Sequence, residues 1–148
     1  MNTYLNFNKE TGFTLIELLV VLFIIGVLTA LIFPNLMGAR QRARDSQRKQ
    51  DLVQIKNALR LYYNDNQRYP NSISFGSSWS GYMEKIPQDP LGSGHPYRYC
   101  VSATKEGFIL AASLENAGDA DIAGSQSHCP TSICDPGCTT NCFYICTN

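Results

Sequence analysis

Glu17 is the one ionisable side chain in an otherwise hydrocarbon run, Phe13 to Phe33, which reads FTLIELLVVLFIIGVLTALIF. A carboxylate inside a membrane helix costs about 2.5–3.5 kcal/mol on insertion scales, so one retained there needs a partner or a task. Sulfur is the second resource. Cys100, Cys129, Cys134, Cys138, Cys142 and Cys146 make an even count, all outside the apolar run. That pattern reads as a disulfide framework in an oxidising compartment, with fifteen connectivities open. A zinc site is the competing reading. No C-x-x-C pair is present and the spacings fit knuckle motifs poorly, so disulfides are favoured. His95 and His128 are the only histidines. His128 adjoins Cys129, but a nucleophilic Cys–His pair needs a free, activated thiol, and this cysteine sits in the disulfide cluster. The expectation is therefore a protein that is not an enzyme.

The elements that carry these groups follow from periodicity. At about 1.5 Å per residue, a helix over residues 13–33 spans roughly 30 Å, the hydrocarbon thickness of a bilayer. Residues 1–12 (MNTYLNFNKETG) read as a short polar leader, and no small-residue cleavage site follows Phe33, so the apolar run is expected to stay in the mature chain. Lys and Arg total 12, as do Asp and Glu, a balance that argues against a nucleic-acid partner. Their placement raises a conflict. Only Lys9 precedes the run, whereas Arg40, Arg42, Arg44, Arg48 and Lys49 follow it. The positive-inside tendency alone puts the C-terminal part in the cytoplasm, and the cysteines put it outside.

Residues 34–64 continue as an amphipathic helix. Leu52, Ile55, Leu59 and Tyr62 fall on one face, Ala39, Ala43 and Ser46 roughly extend that stripe, and the basic residues lie largely elsewhere. Pro34 is expected to kink the junction, because it lacks an N–H and crowds the carbonyl four residues earlier. The stretch from Asn64 to Gly94 is loop-like, anchored by Tyr69, Phe75, Trp79 and Tyr82, with short helical turns inside it. Tyr97–Ala103 and Phe108–Leu114 read as a hairpin with Gly107 at its turn, and CFYIC at 142–146 as a third strand. The fold class is α+β: a long N-terminal helix, membrane-spanning in its first half, packed on a small antiparallel sheet within a disulfide-bearing domain, 65–148.

The run Gly12-Phe13-Thr14-Leu15-Ile16-Glu17-Leu18-Leu19-Val20-Val21, with a short polar leader before it and a long helix after it, resembles the N-terminal signature of type IV pilins and type II secretion pseudopilins. The resemblance implies cleavage by a prepilin peptidase between Gly12 and Phe13 on the cytoplasmic face, with N-methylation of Phe13. It implies a single pass through the bacterial inner membrane with the C-terminal domain outside, which resolves the orientation conflict in favour of the cysteines. It assigns Glu17 to pairing with the N-terminal amine of a neighbouring subunit during assembly, and Pro34 to a point where such helices bend or melt in the filament. The basic run Arg40 to Lys49 is read as a solvated face that pairs with Asp45, Asp51 and neighbouring subunits. A second resemblance lies in Lys85-Ile86-Pro87-Gln88-Asp89-Pro90-Leu91-Gly92 and His95-Pro96-Tyr97-Arg98-Tyr99, which is similar to the P-x-D-P segment of major pseudopilins. In those proteins a calcium loop follows the hairpin. The corresponding stretch is Leu114 to Ile122, where Asp119, Asp121, the Asn116 side chain and the main-chain carbonyls of Leu114 and Ile122 suit a hard cation. Asp119-x-Asp121-x-x-Gly124 starts as an EF-hand does, but the twelfth position is Pro130, where a glutamate is needed. A solvated Asp/Asn/Gly turn is the other reading of this stretch.

The expected function is a structural subunit that polymerises through its N-terminal helix into a type IV pilus or type II secretion pseudopilus. Implied partners are other copies of the chain, prepilin peptidase, an inner-membrane assembly platform with its ATPase, and membrane lipid before assembly. The filament is then periplasmic or extracellular. The alternative is a minor pilin acting as a membrane-anchored binding module for DNA uptake or adhesion, and a third reading is an uncleaved membrane-anchored protein.

Overall fold

The computed structural model describes residues 12–129 and 132–147. Of the leader expected at residues 1–12 only Gly12 falls within the described residues, and Pro130 also lies outside them. The order of elements is α1 (Leu15–Asn66), β1 (Arg98–Val101), β2 (Phe108–Ser113), α2 (Asp121–His128) and β3 (Cys142–Cys146), with a single turn of 3-10 helix at Gly92–Gly94. The chain divides into two compact units, residues 1–38 and 39–148.

Helix α1 is 52 residues long and continues through Pro34 without a break. It stops two residues later than the sequence suggests. Gln67 adopts a left-handed backbone, φ 53°, and its N–H reaches the Tyr63 carbonyl at 2.7 Å, so the chain turns off the helix axis while the last carbonyls are still being satisfied.

In the second unit the sheet has the order β1-β2-β3, antiparallel throughout. The central strand β2, FILAAS, is buried from Phe108 to Ala112, as an apolar run without alternation requires when both faces are covered. Alternation reappears in what covers each face. Phe108, Leu110 and Ala112 pack with Leu52, Ile55 and Leu59 of α1 and with Tyr69, Ile86 and Tyr97. Ile109 on the opposite face packs with Cys129 and Cys146. The flanking strands obey the same period of two: Tyr99, Val101, Phe143 and Ile145 face the helix side, and Cys100 and Tyr144 the cysteine side.

The hairpin forms where the sequence places it, with Gly107 in the connection between β1 and β2. Lys105, with φ 61°, takes the left-handed position rather than Gly107. The glycine sits in a tight space: a Cβ there would lie 3.2 Å from Ile133 Cγ2 and 3.3 Å from Thr147 Oγ1, so those side chains would have to give way to it. The connection between α1 and β1 is largely irregular, held by main-chain bonds such as Gly76 N–H to Ile86 O at 2.8 Å and by a bridge between Trp79 and Met83. Its aromatics do anchor it. Trp79 and Tyr82 stack with Tyr62 of α1 at centroid distances of 5.5 and 5.2 Å.

Candidate functional site

In the first unit, α1 begins with a reciprocal cap. The Thr14 N–H and hydroxyl both donate to Glu17 Oε2, at 2.9 and 2.7 Å, and the Glu17 N–H donates to Thr14 Oγ1 at 3.3 Å. This is the T-x-x-E capping box, in which residue and backbone satisfy each other at the helix start. Glu17 is thus supplied with donors by its own chain, a capping role that the sequence reading, which paired it with an N-terminal amine, did not include. The signal was the spacing of Thr14 and Glu17, which is a recognisable N-terminal signature. Beyond the cap, the apolar side chains face outward: Phe13 is 83% exposed, Phe23 71% and Phe33 64%. The segment is long and apolar enough to cross a membrane.

In the second unit the basic run departs from the expected solvated face at Arg44, Arg48 and Lys49, which turn into the domain, while Arg42 stays exposed; the expected pairing with Asp45 is made by Arg48. Arg48 is completely buried. Its Nε and Nη2 donate to the two carboxylate oxygens of Asp89, at 2.6 and 3.1 Å. Its Nη1 donates to Asp45 Oδ1 at 2.7 Å and to Glu115 Oε1 at 2.8 Å. Arg44 closes the network, with Nε and Nη2 donating to Glu115 at 2.7 and 2.6 Å. The Asp45 carboxylate also accepts the backbone N–H groups of Glu115 and Asn116, each at 2.9 Å, and Asp89 accepts that of Leu91 at 2.8 Å. Two guanidiniums and three carboxylates thereby tie α1 to the Pro87–Leu91 turn and to the chain leaving β2. The Arg44 hydrogen bond outweighs burial and, with Arg48, holds Glu115 down to about 2. Asp51 accepts from the Tyr97 hydroxyl at 2.7 Å instead of joining this ionic network. Burial raises its pKa despite that bond.

The inward stripe of α1 is Asp45, Arg48, Leu52, Ile55 and Leu59, all buried, whereas Ala39, Ala43 and Ser46, expected on that stripe, are exposed. The spacing of three and four runs unbroken through Asp45 and Arg48. Charge concealed it.

All six cysteines are paired, Cys100–Cys134, Cys129–Cys146 and Cys138–Cys142, with Cα–Cα distances of 6.0, 5.6 and 6.0 Å. No sulfur is left for zinc or for a nucleophile. Cys100–Cys134 and Cys138–Cys142 tie the segment before β3 to β1 and to the start of β3, and Cys129–Cys146 ties the end of α2 to the end of β3. Helix α2 bonds β3 as well: Gln126 Nε2 donates to Cys142 O at 2.9 Å, and Ser125 Oγ accepts the Tyr144 N–H at 3.1 Å.

The five residues nominated for a hard cation do not form an open cage. Leu114 O accepts Asn141 Nδ2 at 3.2 Å, Asn116 Oδ1 accepts the Gly118 N–H at 3.1 Å, and Ile122 O accepts Ser125 Oγ at 2.8 Å. Lys49 Nζ donates to both oxygens of Asp119, at 2.6 and 2.8 Å, and to Asp121 Oδ2 at 2.7 Å. Among the described residues no group of three or more His, Cys, Asp or Glu side chains is placed to hold a metal. A calcium ion needs six to eight free oxygens, so the arrangement does not fit one as it stands.

A long helix with its first half bare and apolar, capped by a threonine–glutamate pair, and its second half packed on a small antiparallel sheet defines a pilin-like protein. The family comparisons agree. Residues 7–33 match the prokaryotic N-terminal methylation motif, and residues 35–128, more than half of the chain, match Type II secretion system protein G. The chain belongs to the protein G family of the type II secretion system. Relatives named Type II secretion system core protein G include that of Vibrio cholerae, 34% identical over 75% of this chain and 86% of the relative. Those of Pseudomonas aeruginosa (35%, covering 69% and 81%) and Escherichia coli K12 (35%, covering 60% and 71%) are similar. No solved structure matches the chain significantly.

Proposed function

We propose that the chain is a structural subunit of a type II secretion pseudopilus, released from its leader between Gly12 and Phe13, methylated at Phe13 and polymerised through its N-terminal helix. It has no catalytic role in this reading. The observation that carries it is the exposure of the apolar side chains between Phe13 and Phe33, a surface far larger than a folded domain leaves bare without a partner. Lipid covers it before assembly, and copies of the same helix cover it afterwards. The filament-forming partners are thus other copies of the chain, with prepilin peptidase and the inner-membrane assembly machinery acting on it. The subunit waits in the inner membrane with its disulfide-bonded unit outside, and the filament is periplasmic.

Glu17 sets the register. The capping box holds its carboxylate at the first turn, where a neighbour's free amine at Phe13 gains a charge-assisted bond that Thr14 cannot supply. Leaving that carboxylate in lipid is unfavourable, which favours the docked state. The test is expression of the full chain with its secretion machinery, followed by intact-mass measurement and filament isolation. The mature mass should lack residues 1–12 and carry one added methyl group. Glu17→Ala should leave the processed protein in the membrane without filaments, and filaments at normal yield from that variant would sink the reading.

A further inference from the structure

We propose that the Lys49 ammonium is the resident cation of the Leu114–Ile122 loop, so that this loop is ordered without a divalent metal. The inference is independent of the polymerisation reading and concerns how the second unit is held together. Asp119 stands on the chain between β2 and α2 and Asp121 opens α2, while Lys49 reaches them from α1. An ammonium has three N–H groups and no acceptor, and Lys49 Nζ has three oxygens between 2.6 and 2.8 Å, two from Asp119 and one from Asp121. The Phe143 ring lies beneath it, 5.5 Å from the centroid, adding the attraction of an aromatic face for a cation. Donors and acceptors are matched on both sides of the contact.

The rest of the loop is secured by the chain as well. The Asp45 carboxylate holds the Glu115 and Asn116 N–H groups, Leu114 bonds Asn141 through both its main-chain groups, and the Cys129–Cys146 bridge fixes the far end of α2. Both carboxylate oxygens of Asp119, one of Asp121 and the Asn116 amide oxygen are therefore already engaged, and a divalent ion would have to displace a tethered charge from Asp119. That charge is always at the site. A dissolved ion must be bound from solution, and its effect rises and falls with its concentration.

The test uses the full-length oxidised protein in detergent micelles, with thermal unfolding followed by the fluorescence of Trp79. Wild type should melt at the same temperature in millimolar calcium, in magnesium at equal ionic strength and in chelator. Lys49→Met, which keeps the aliphatic stem and removes the charge, should melt roughly 5 °C lower in chelator, and Lys49→Arg should recover most of that loss. A wild-type midpoint raised several degrees by calcium but not by magnesium would overturn the proposal, as would a Lys49→Met protein that melts with the wild type. If Lys49→Met does not fold, the wild-type comparison decides alone.

Discussion

A guanidinium with no contact to water is tolerable only when acceptors surround it, and Arg48 has Asp45, Asp89 and Glu115 around it. Removing the arginine does not simply delete three contacts. It leaves Asp45 and Asp89, both buried, as charges without a counter-ion, and such a change costs about 3–5 kcal/mol. Arg48→Met should therefore lower the urea unfolding free energy by that amount. Arg48→Lys should not rescue it, since a point charge cannot serve two oxygens of Asp89 and two further carboxylates with the planar geometry of the fork. At Thr14 the outcome is different in kind. Thr14→Val deletes the hydroxyl bonds to Glu17 while leaving the shape of the side chain, and should impair filament yield without changing the melting of the second unit. Both residues were partly legible. Thr14 and Glu17 form a known spacing, and Arg48 lies four residues before Leu52 on the inward stripe. Reading an arginine as exposed follows what arginines usually do; only the acceptors supplied by distant turns, Asp89 and Glu115, reverse it, and those pairings span 41 and 67 residues of sequence.

Strands and bridges were differently legible. The apolar run of β2 and the alternation of CFYIC follow from composition, and both fall where the sequence places them. Helix α2, Asp121–His128, was missed because DIAGSQSH carries glycine, two serines and little apolar surface, and what holds it to β3 is the bonds of Gln126 and Ser125 and the bridge at Cys129 rather than propensity. The disulfide connectivity was open among fifteen arrangements and is set by the sheet, which brings Cys100 and Cys146 to one face. The bridges should differ in worth. Cys129–Cys146 closes a separation of 17 residues with both cysteines buried, whereas Cys138–Cys142 closes 4 residues and joins a buried cysteine to a half-buried one. Replacing the first pair by alanines should cost about 3 kcal/mol or more, and replacing the second pair distinctly less, as measured by denaturant unfolding of the two double variants. The link between α1 and the chain after β2 should also be sensitive to acid. Glu115 titrates near 2 when folded and near 4.5 otherwise, so its contribution is complete above the higher value and is lost as pH falls through the lower one. Asp119, lowered by Lys49, adds in the same direction. Asp51 opposes them, because burial raises its pKa and protonation relieves that cost. Glu115→Gln should flatten the decline of stability across that window, read from urea unfolding at its two ends.

At the scale of the whole molecule, two solvents are built into one chain. Residues 1–38 and 39–148 form separate compact units, and every residue of the two buried clusters lies in the second, from Leu52 to Cys146. The ionic network and the three bridges lie there too, with Arg44 the first of their residues in the chain. Among the described residues, the first unit contributes none to the two buried clusters. Its large apolar side chains remain exposed, from 44% at Leu36 to 83% at Phe13, and they can only be covered by lipid or by other subunits. Stability and assembly are therefore separable. A chain beginning at Ala39 should fold to the same oxidised domain, remain monomeric in water by sedimentation, and unfold within about 1 kcal/mol of the full chain in detergent, because distant and independent parts contribute additively. The same chain should fail to enter filaments formed by the full-length protein, since it lacks both the apolar surface and Glu17. A truncated chain that unfolds much more easily would show that the first unit supports the domain after all, and one that is incorporated into filaments would place the assembly contacts on the domain instead of the helix.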